Sequence, residues 1–247
     1  MLERGPRARM RKTMLDAAMR LMQDGLVPSI SDVAAAVQVS RATAYRYFPT
    51  QSALIQAAVD EALGPILEWK SDSADVEQRV QELISFSYPR LDQYEAPLRA
   101  ALRLALDQWA LLHAGRLGEE MILPRGRRIG LLKAALSPLR KQLGKARGDR
   151  LAQALSLVFG TEAFVVLKDI WGLGGKEAEQ VALWTARALI RCAVQDCAAA
   201  PRRAAASAPT GDRKQVSSKT ARARGVAQAG NPGPARKPPR RAKAGRG

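Results

Sequence analysis

Histidine occurs once in the 247 residues, as His113, and cysteine twice, as Cys192 and Cys197. A single histidine excludes most catalytic triads and histidine metal sites. The two cysteines are five apart, which is neither a C-x-x-C redox pair nor a metal-knuckle spacing, and two cysteines make no disulfide framework. As small apolar residues on a helix they need no further role. There is no glycine-rich phosphate loop. The clustered carboxylates (Asp72, Asp75 and Glu77; Glu119 and Glu120) fall on segments expected to be exposed. An enzyme, a metal protein or a cofactor carrier therefore has no set of residues to rest on. No run of about 18 apolar residues exists, so no membrane-spanning helix is expected. The basic start, MLERGPRARMRKTML, is soon interrupted by Asp16, Arg20, Gln23 and Asp24. No signal-peptide core forms there, and a cytoplasmic protein is expected. Strand-like alternation is also missing.

What remains is a chain that is 47% hydrophobic, enough for a sizeable core, and carries a net charge of +17. The charge is uneven. Residues 201–247 hold 13 Lys or Arg against one acid, Asp212, whereas residues 1–200 are only mildly basic. From Pro201 onward there is no aromatic residue, and Val216 and Val226 are the only large aliphatics. Such a segment buries too little apolar surface to offset its ordering entropy, so residues 201–247 are expected to be a disordered basic tail. Two readings of it stand: sequence-independent attraction to phosphates, or a solubilising or incidental tail.

Residues 1–200 read as all-α. A helix over 9–23 carries Met14, Leu15, Ala18, Leu21 and Met22 on one face and closes at Gly25. Short helices follow over 30–37 and 41–48. The next, from residue 51, is expected to end at Gly64-Pro65. Beyond it, Val76 to Leu91 keeps helical spacing until Pro89, which should kink or break the run. Leu98, Leu102, Ala105, Trp109, Leu112 and His113 trace another stripe. Ile129 to Leu143 follows, bent at Pro138. Residues 150–171 are apolar on more than one face, and 176–199 form a last helix with Val181, Trp184, Ala188, Leu189 and Cys192 inward. The organisation expected is a DNA-reading unit over 1–64, a helical bundle over 65–200 and the tail.

The stretch PSISDVAAAVQVSRATAYRYF carries the chemistry. Ser29 can cap a short helix, with Asp32 in capping-box position. Ala34, Ala35 and Ala36 allow another helix to approach closely. Gln38 makes the turn, Val39 points back to the core and Ser40 caps the next helix. Two short helices joined by a tight turn and packed over the first helix form a helix-turn-helix. Such a unit places its second helix in the major groove of DNA. Ala44 and Phe48 face the core, leaving Arg41, Thr43, Tyr45 and Tyr47 for other surfaces. Arginine can bond both acceptors of a guanine edge. Threonine suits a phosphate or a thymine methyl, and tyrosine hydroxyls suit phosphates. The alternative reading makes the tyrosines half-buried packing residues.

The pattern S-I-S-D-V-A-(x5)-S-R-A-T-A-Y-R-Y-F-(x5)-L resembles the DNA-binding domain of TetR-type transcriptional repressors over roughly residues 9–60. More weakly, EAFVVLKDIWGL and ALWTARALI resemble the last two helices of such regulators. The resemblance implies a homodimer on a palindromic operator in double-stranded DNA. It places Ser31, Arg41, Ala42, Thr43, Tyr45, Tyr47 and Gln51 where family members touch DNA, and Ser29 and Ser40 where helix amides meet phosphates. Arg4, Arg7, Arg9 and Arg11 precede or open the first helix, where some members send a basic arm. The chain departs from the pattern twice: Gln38 stands where glycine is usual, and Gln51 where lysine is usual. The first forces a non-glycine toward a left-handed conformation; the second removes an ionic phosphate contact.

The bundle is larger than DNA reading requires. By resemblance it would hold a small-molecule effector. Phe86, Tyr88, Tyr94, Trp109 and His113 offer large side chains with polar tips, a pocket lining or equally a filled core. His113 can bond a ligand or simply be a satisfied helix histidine. Residues 150–171 and 176–199, apolar on several faces, need cover from a second copy or from their own chain. The expected protein is thus a nucleoid-associated repressor without cofactor or metal. The alternative is a constitutive, weakly specific DNA-organising protein governed by its tail.

Overall fold

The computed structural model describes residues 5–118 and 122–206, of which 200–206 as backbone alone. Residues 201–206, expected to open the disordered tail, instead continue the last helix, and residues 207–247 lie outside the described residues. Among those described, ten α-helices and no strand occur: α1 (Pro6–Gln23), α2 (Ile30–Ala36), α3 (Arg41–Tyr47), α4 (Gln51–Leu67), α5 (Val76–Gln93), α6 (Glu95–His113), α7 (Arg127–Ala135), α8 (Arg140–Leu155), α9 (Thr161–Phe164) and α10 (Gly175–Ala206). None of the described helices is long and apolar enough to cross a membrane.

The first three helices share one small core. Met14, Leu15, Ala18 and Met22 of α1 meet Ile30, Val33 and Ala34 of α2 and Ala44 of α3, with Phe48 closing the set. α4 joins this core through Leu54, Ile55 and Ala58, all fully buried. Its far half belongs to the bundle, because Gly64-Pro65 does not end it. The helix continues to Leu67 with Pro65 inside. A proline leaves the carbonyl four residues earlier without its helical donor. Here that carbonyl, Glu61 O, accepts from Arg90 Nη2 at 2.7 Å, and Ala62 O accepts from Arg90 Nε at 2.6 Å. The arginine of α5 replaces what the proline removes. Pro89 likewise sits within a continuous α5. Pro138 does break its run: α7 stops at Ala135, a 3-10 turn covers Ser137–Leu139, and α8 restarts at Arg140.

Two further sequence expectations are corrected. Residues 150–171 are not one helix. Gly160, at φ 141°, separates α8 from α9, which passes into a π-helical turn over Val165–Ile170. On α10 the inward stripe is Ala178, Ala182, Ala186 and Ile190, while Val181, Trp184, Ala188 and Cys192 face outward. Small residues face inward because α5 packs closely along this face. Between α5 and α9, Tyr88 is fully buried, edge-on to Phe164 with ring centroids 5.2 Å apart. Its hydroxyl donates to Val158 O at 2.5 Å. Burial, reinforced by Glu179, pushes this phenol well above its ordinary value, so it stays a neutral donor.

Candidate nucleic-acid interface

The helix-turn-helix is built by caps. Ser29 Oγ accepts from Asp32 N at 3.2 Å, and Asp32 Oδ2 accepts from Ser29 N at 2.8 Å, a complete capping box. These Ser29 bonds hold the Asp32 carboxyl below its ordinary pKa. At the other end of α2, Val39 N donates to Ala34 O at 3.0 Å and Gln38 N to Ala35 O at 3.2 Å. This is a Schellman closure, which requires its penultimate residue to be left-handed. Gln38 meets the requirement at φ 55°, and it is the only non-glycine residue at positive φ among those described. Ser40 then caps α3: its Oγ accepts from Thr43 N at 3.1 Å and lies 2.8 Å from Thr43 Oγ1.

The residues singled out by sequence fall into two groups. Arg41, Ala42 and Tyr45 are exposed on α3, with Tyr45 47% exposed. Ser29, Ser31, Thr43, Tyr47 and Gln51 are half-buried, and Ser40 is exposed. The Thr43 hydroxyl is engaged with the Ser40 cap. The two tyrosines part company: Tyr45 faces solvent, and Tyr47 packs against the core. Gln51 Nε2 donates to Val27 O at 3.3 Å and Pro28 O at 3.1 Å, so its amide anchors the loop before α2. Thr50 caps α4, its hydroxyl accepting from Ala53 N at 3.1 Å.

One residue was missed. Arg46 and Ala42 each stand two residues from buried Ala44, about 200° round the helix, and so project almost directly away from the core. Arg46 is exposed and, like Arg41, has no ion pair among the described residues. With Arg7, Met10 and Tyr47 it lines a groove between the start of α1 and α3. The helical period of Ala44 and Phe48 carries this signal, which the two tyrosines flanking Arg46 mask. Further along α1, Arg11 lies over the Phe48 ring at 5.3 Å. α3 itself contains no acid.

The five residues named for an effector are dispersed. Phe86 is 49% exposed on α5, and Tyr88 is the buried phenol bonded to Val158. Tyr94 lies under Arg90, 4.5 Å from ring centroid to guanidinium. Trp109, 60% exposed, stacks on His113 near the end of α6, and His113 Nδ1 lies 2.9 Å from Trp109 O. A cavity of about 130 Å³ occurs elsewhere, between α4, α6, α7 and the start of α9, and none of the five lines it. Among the described residues no group of three or more His, Cys, Asp or Glu is placed to hold a metal ion.

The fold and this surface define a helix-turn-helix domain carried on a larger helical body. Residues 14–58 match the family of bacterial regulatory proteins known as the tetR family. Over 106 residues the chain is 30% identical to the HTH-type transcriptional repressor LfrR of Mycolicibacterium smegmatis, a stretch of 43% of this chain and 47% of LfrR. The match thus spans about half the length of that curated relative. A tetR-family transcriptional regulator from Streptomyces coelicolor, known from its crystal structure, shares the fold with a TM-score of 0.54. That likeness covers 85% of this chain and 94% of the other at 18% identity.

Proposed function

We propose that the chain is a homodimeric transcriptional repressor that binds a palindromic DNA operator and is released by a small-molecule effector. The observation that carries the reading is α3: a capped helix with Arg41, Ala42, Tyr45 and Arg46 outward, no acid, and two guanidiniums without ion pairs among the described residues. In this reading Arg41 and Arg46 meet base edges or phosphates, Ser40 and Ser29 present helix amides to phosphates, and Tyr45 packs along the groove wall. Ser31, Ala42, Thr43, Tyr47 and Gln51 complete the contact surface, Gln51 by fixing the loop rather than by charge.

Dimerisation is the second element. Leu157, Val166, Ile170 and Trp171 around α9, and Trp184 on α10, are large apolar side chains turned to solvent, with Ile170 72% and Trp184 71% exposed. A second copy packing α9 and α10 against the same elements would cover them as a four-helix bundle. The twofold axis would set two recognition helices about 34–36 Å apart, one turn of DNA. An effector preferring a different spacing lowers DNA affinity by linkage.

A second reading is favoured by one observation, the 13 basic residues beyond position 200: a constitutive, weakly specific DNA-organising protein. Selecting bound sequences from random DNA at physiological salt, with the full chain and with residues 201–247 removed, separates the two. The repressor reading expects an inverted repeat with half-sites one turn apart that persists without the tail. No enriched motif in either form overturns it.

A further inference from the structure

The cavity of about 130 Å³ has a divided chemistry. Its walls are aliphatic, with Leu63 and Ile66 of α4 facing Leu98 and Leu102 of α6. Its polar lining is almost wholly Arg125, Arg127, Arg128 and Glu162. Arg128 is fixed: Nη1 donates to Ser156 O at 3.1 Å and Phe159 O at 3.0 Å, and Nη2 donates to both oxygens of Glu162 at 2.6 Å. Gly160 makes room for it, since a Cβ there would lie 2.5 Å from Arg128 Nη1. Arg127 pairs with Asp60 of α4. Among the described residues Arg125 pairs with Glu162 alone, through Nη2 at 2.8 Å, and its side chain is half exposed. Three guanidiniums thus share two carboxylates, leaving one net positive charge, and most of the five donors of Arg125 are unspent.

We propose that this cavity binds a small apolar monocarboxylate, its hydrocarbon part between α4 and α6 and its acid group on the free donors of Arg125. The size fits: an apolar cavity of about 150 Å³ accommodates a benzene ring. The charge selects the sign, because a cation would meet three guanidiniums and a neutral molecule would leave the excess charge unmatched. The proposal deepens the effector half of the proposed function and rests on that reading for its regulatory consequence; the binding itself does not need DNA.

The test is calorimetric titration of the full chain, without DNA, by benzoate and hexanoate, with benzamide and hexylamine as uncharged and cationic counterparts. The acids are expected to bind saturably, the amide about tenfold or more weaker, as expected when a hydrogen bond to a charged group is lost, and the amine not at all. Arg125→Ala should weaken benzoate about tenfold and leave benzamide unchanged. Leu102→Trp, which fills the cavity from a half-buried position, should abolish both, with the melting temperature as the check on folding. Equal binding of acid and amide, unchanged benzoate affinity in Arg125→Ala, or no binding of either acid overturns the proposal. An operator motif found without acid binding overturns this inference alone. Acid binding without any operator motif overturns the repressor reading and leaves the site standing.

Discussion

Gln38→Gly should stabilise the chain. The Schellman closure of α2 holds Gln38 at φ 55°. A side chain in that conformation costs roughly 1–2 kcal/mol, through contact of Cβ with the following carbonyl. Glycine removes this cost but loses more backbone freedom on folding, about 0.5–1 kcal/mol. The balance lies between about zero and 1.5 kcal/mol, centred on a gain of about 0.75 kcal/mol. For a folded body of this size 1 kcal/mol moves the melting temperature by about 2–4 °C, so the expected rise is about 1–4 °C. Gln38→Ala is the control, since it keeps the Cβ and hence the strain, and should melt with the parent. Thermal denaturation followed by circular dichroism at 222 nm reads both. The turn's two backbone bonds survive the change, so the position of α3 and any DNA affinity should also survive. A melting temperature for Gln38→Gly at or below that of Gln38→Ala would refute the reasoning, because the left-handed cost would then not be borne by the side chain.

Other outcomes follow from the same geometry. Ser40→Ala removes the acceptor for Thr43 N and the partner of Thr43 Oγ1; a loss of about 1 kcal/mol in thermal stability is expected, with a larger loss of DNA affinity than that figure alone gives, since α3 frays where it would meet the groove. Arg46→Ala should leave the melting temperature unchanged, weaken binding to a selected operator and reduce the slope of log affinity against log salt by about one if it meets a phosphate. An unchanged affinity removes Arg46 from the interface. For Glu162, burial raises the carboxyl, but Arg128, the backbone and Arg125 outweigh it and hold it below its ordinary value. A depressed carboxylate contributes stability that is present above its unfolded value and lost as pH falls through the folded one. Melting temperatures measured down from pH 5 should therefore fall less steeply in Glu162→Gln than in the parent.

The DNA-reading unit was legible because its determinants are local. Ser29, Asp32, Ser40 and Thr50 act on amides within three residues, and the missing glycine at position 38 announces its own strain. The bundle was less legible because its determinants are distant. On α10 two stripes share the helical period, one of alanines and one containing Val181 and Trp184. Volume alone assigned the larger to the core. The alanine stripe is inward because α5 needs the room, a fact held in another helix. Pro65 read as a stop and Pro89 as a kink or break because the sequence does not show that Arg90 meets the freed carbonyl of Glu61, or that Pro89 and Ser85 four residues before it are exposed. The break at Gly160 did have a signal, the glycine itself, but the apolar run around it was stronger. The aromatic set on α5 and α6 was chosen by residue type, and residue type does not report direction.

α4 is where the two halves of the molecule cease to be independent. Its first turns carry Leu54, Ile55 and Ala58 in the core under α1 and α3, and its later turns carry Leu63 and Ile66 in the cavity wall. Between them, Asp60 pairs with Arg127 and the carbonyl of Glu61 binds Arg90, while the Glu61 side chain reaches Lys12 of α1 at 3.2 Å. One rigid helix is thus gripped by the DNA-reading unit at one end and by the bundle at the other. Coupling between two sites requires an element whose position both of them bias. No glycine or break in α4 lies between residues 55 and 63, so a ligand pressing on Leu63 presses on the same unbroken run that carries Leu54 and Ile55. Gly64-Pro65, which the sequence offered as the end of the helix, falls between the cavity-lining residues Leu63 and Ile66, and Arg90 holds the carbonyls of Glu61 and Ala62 just before it.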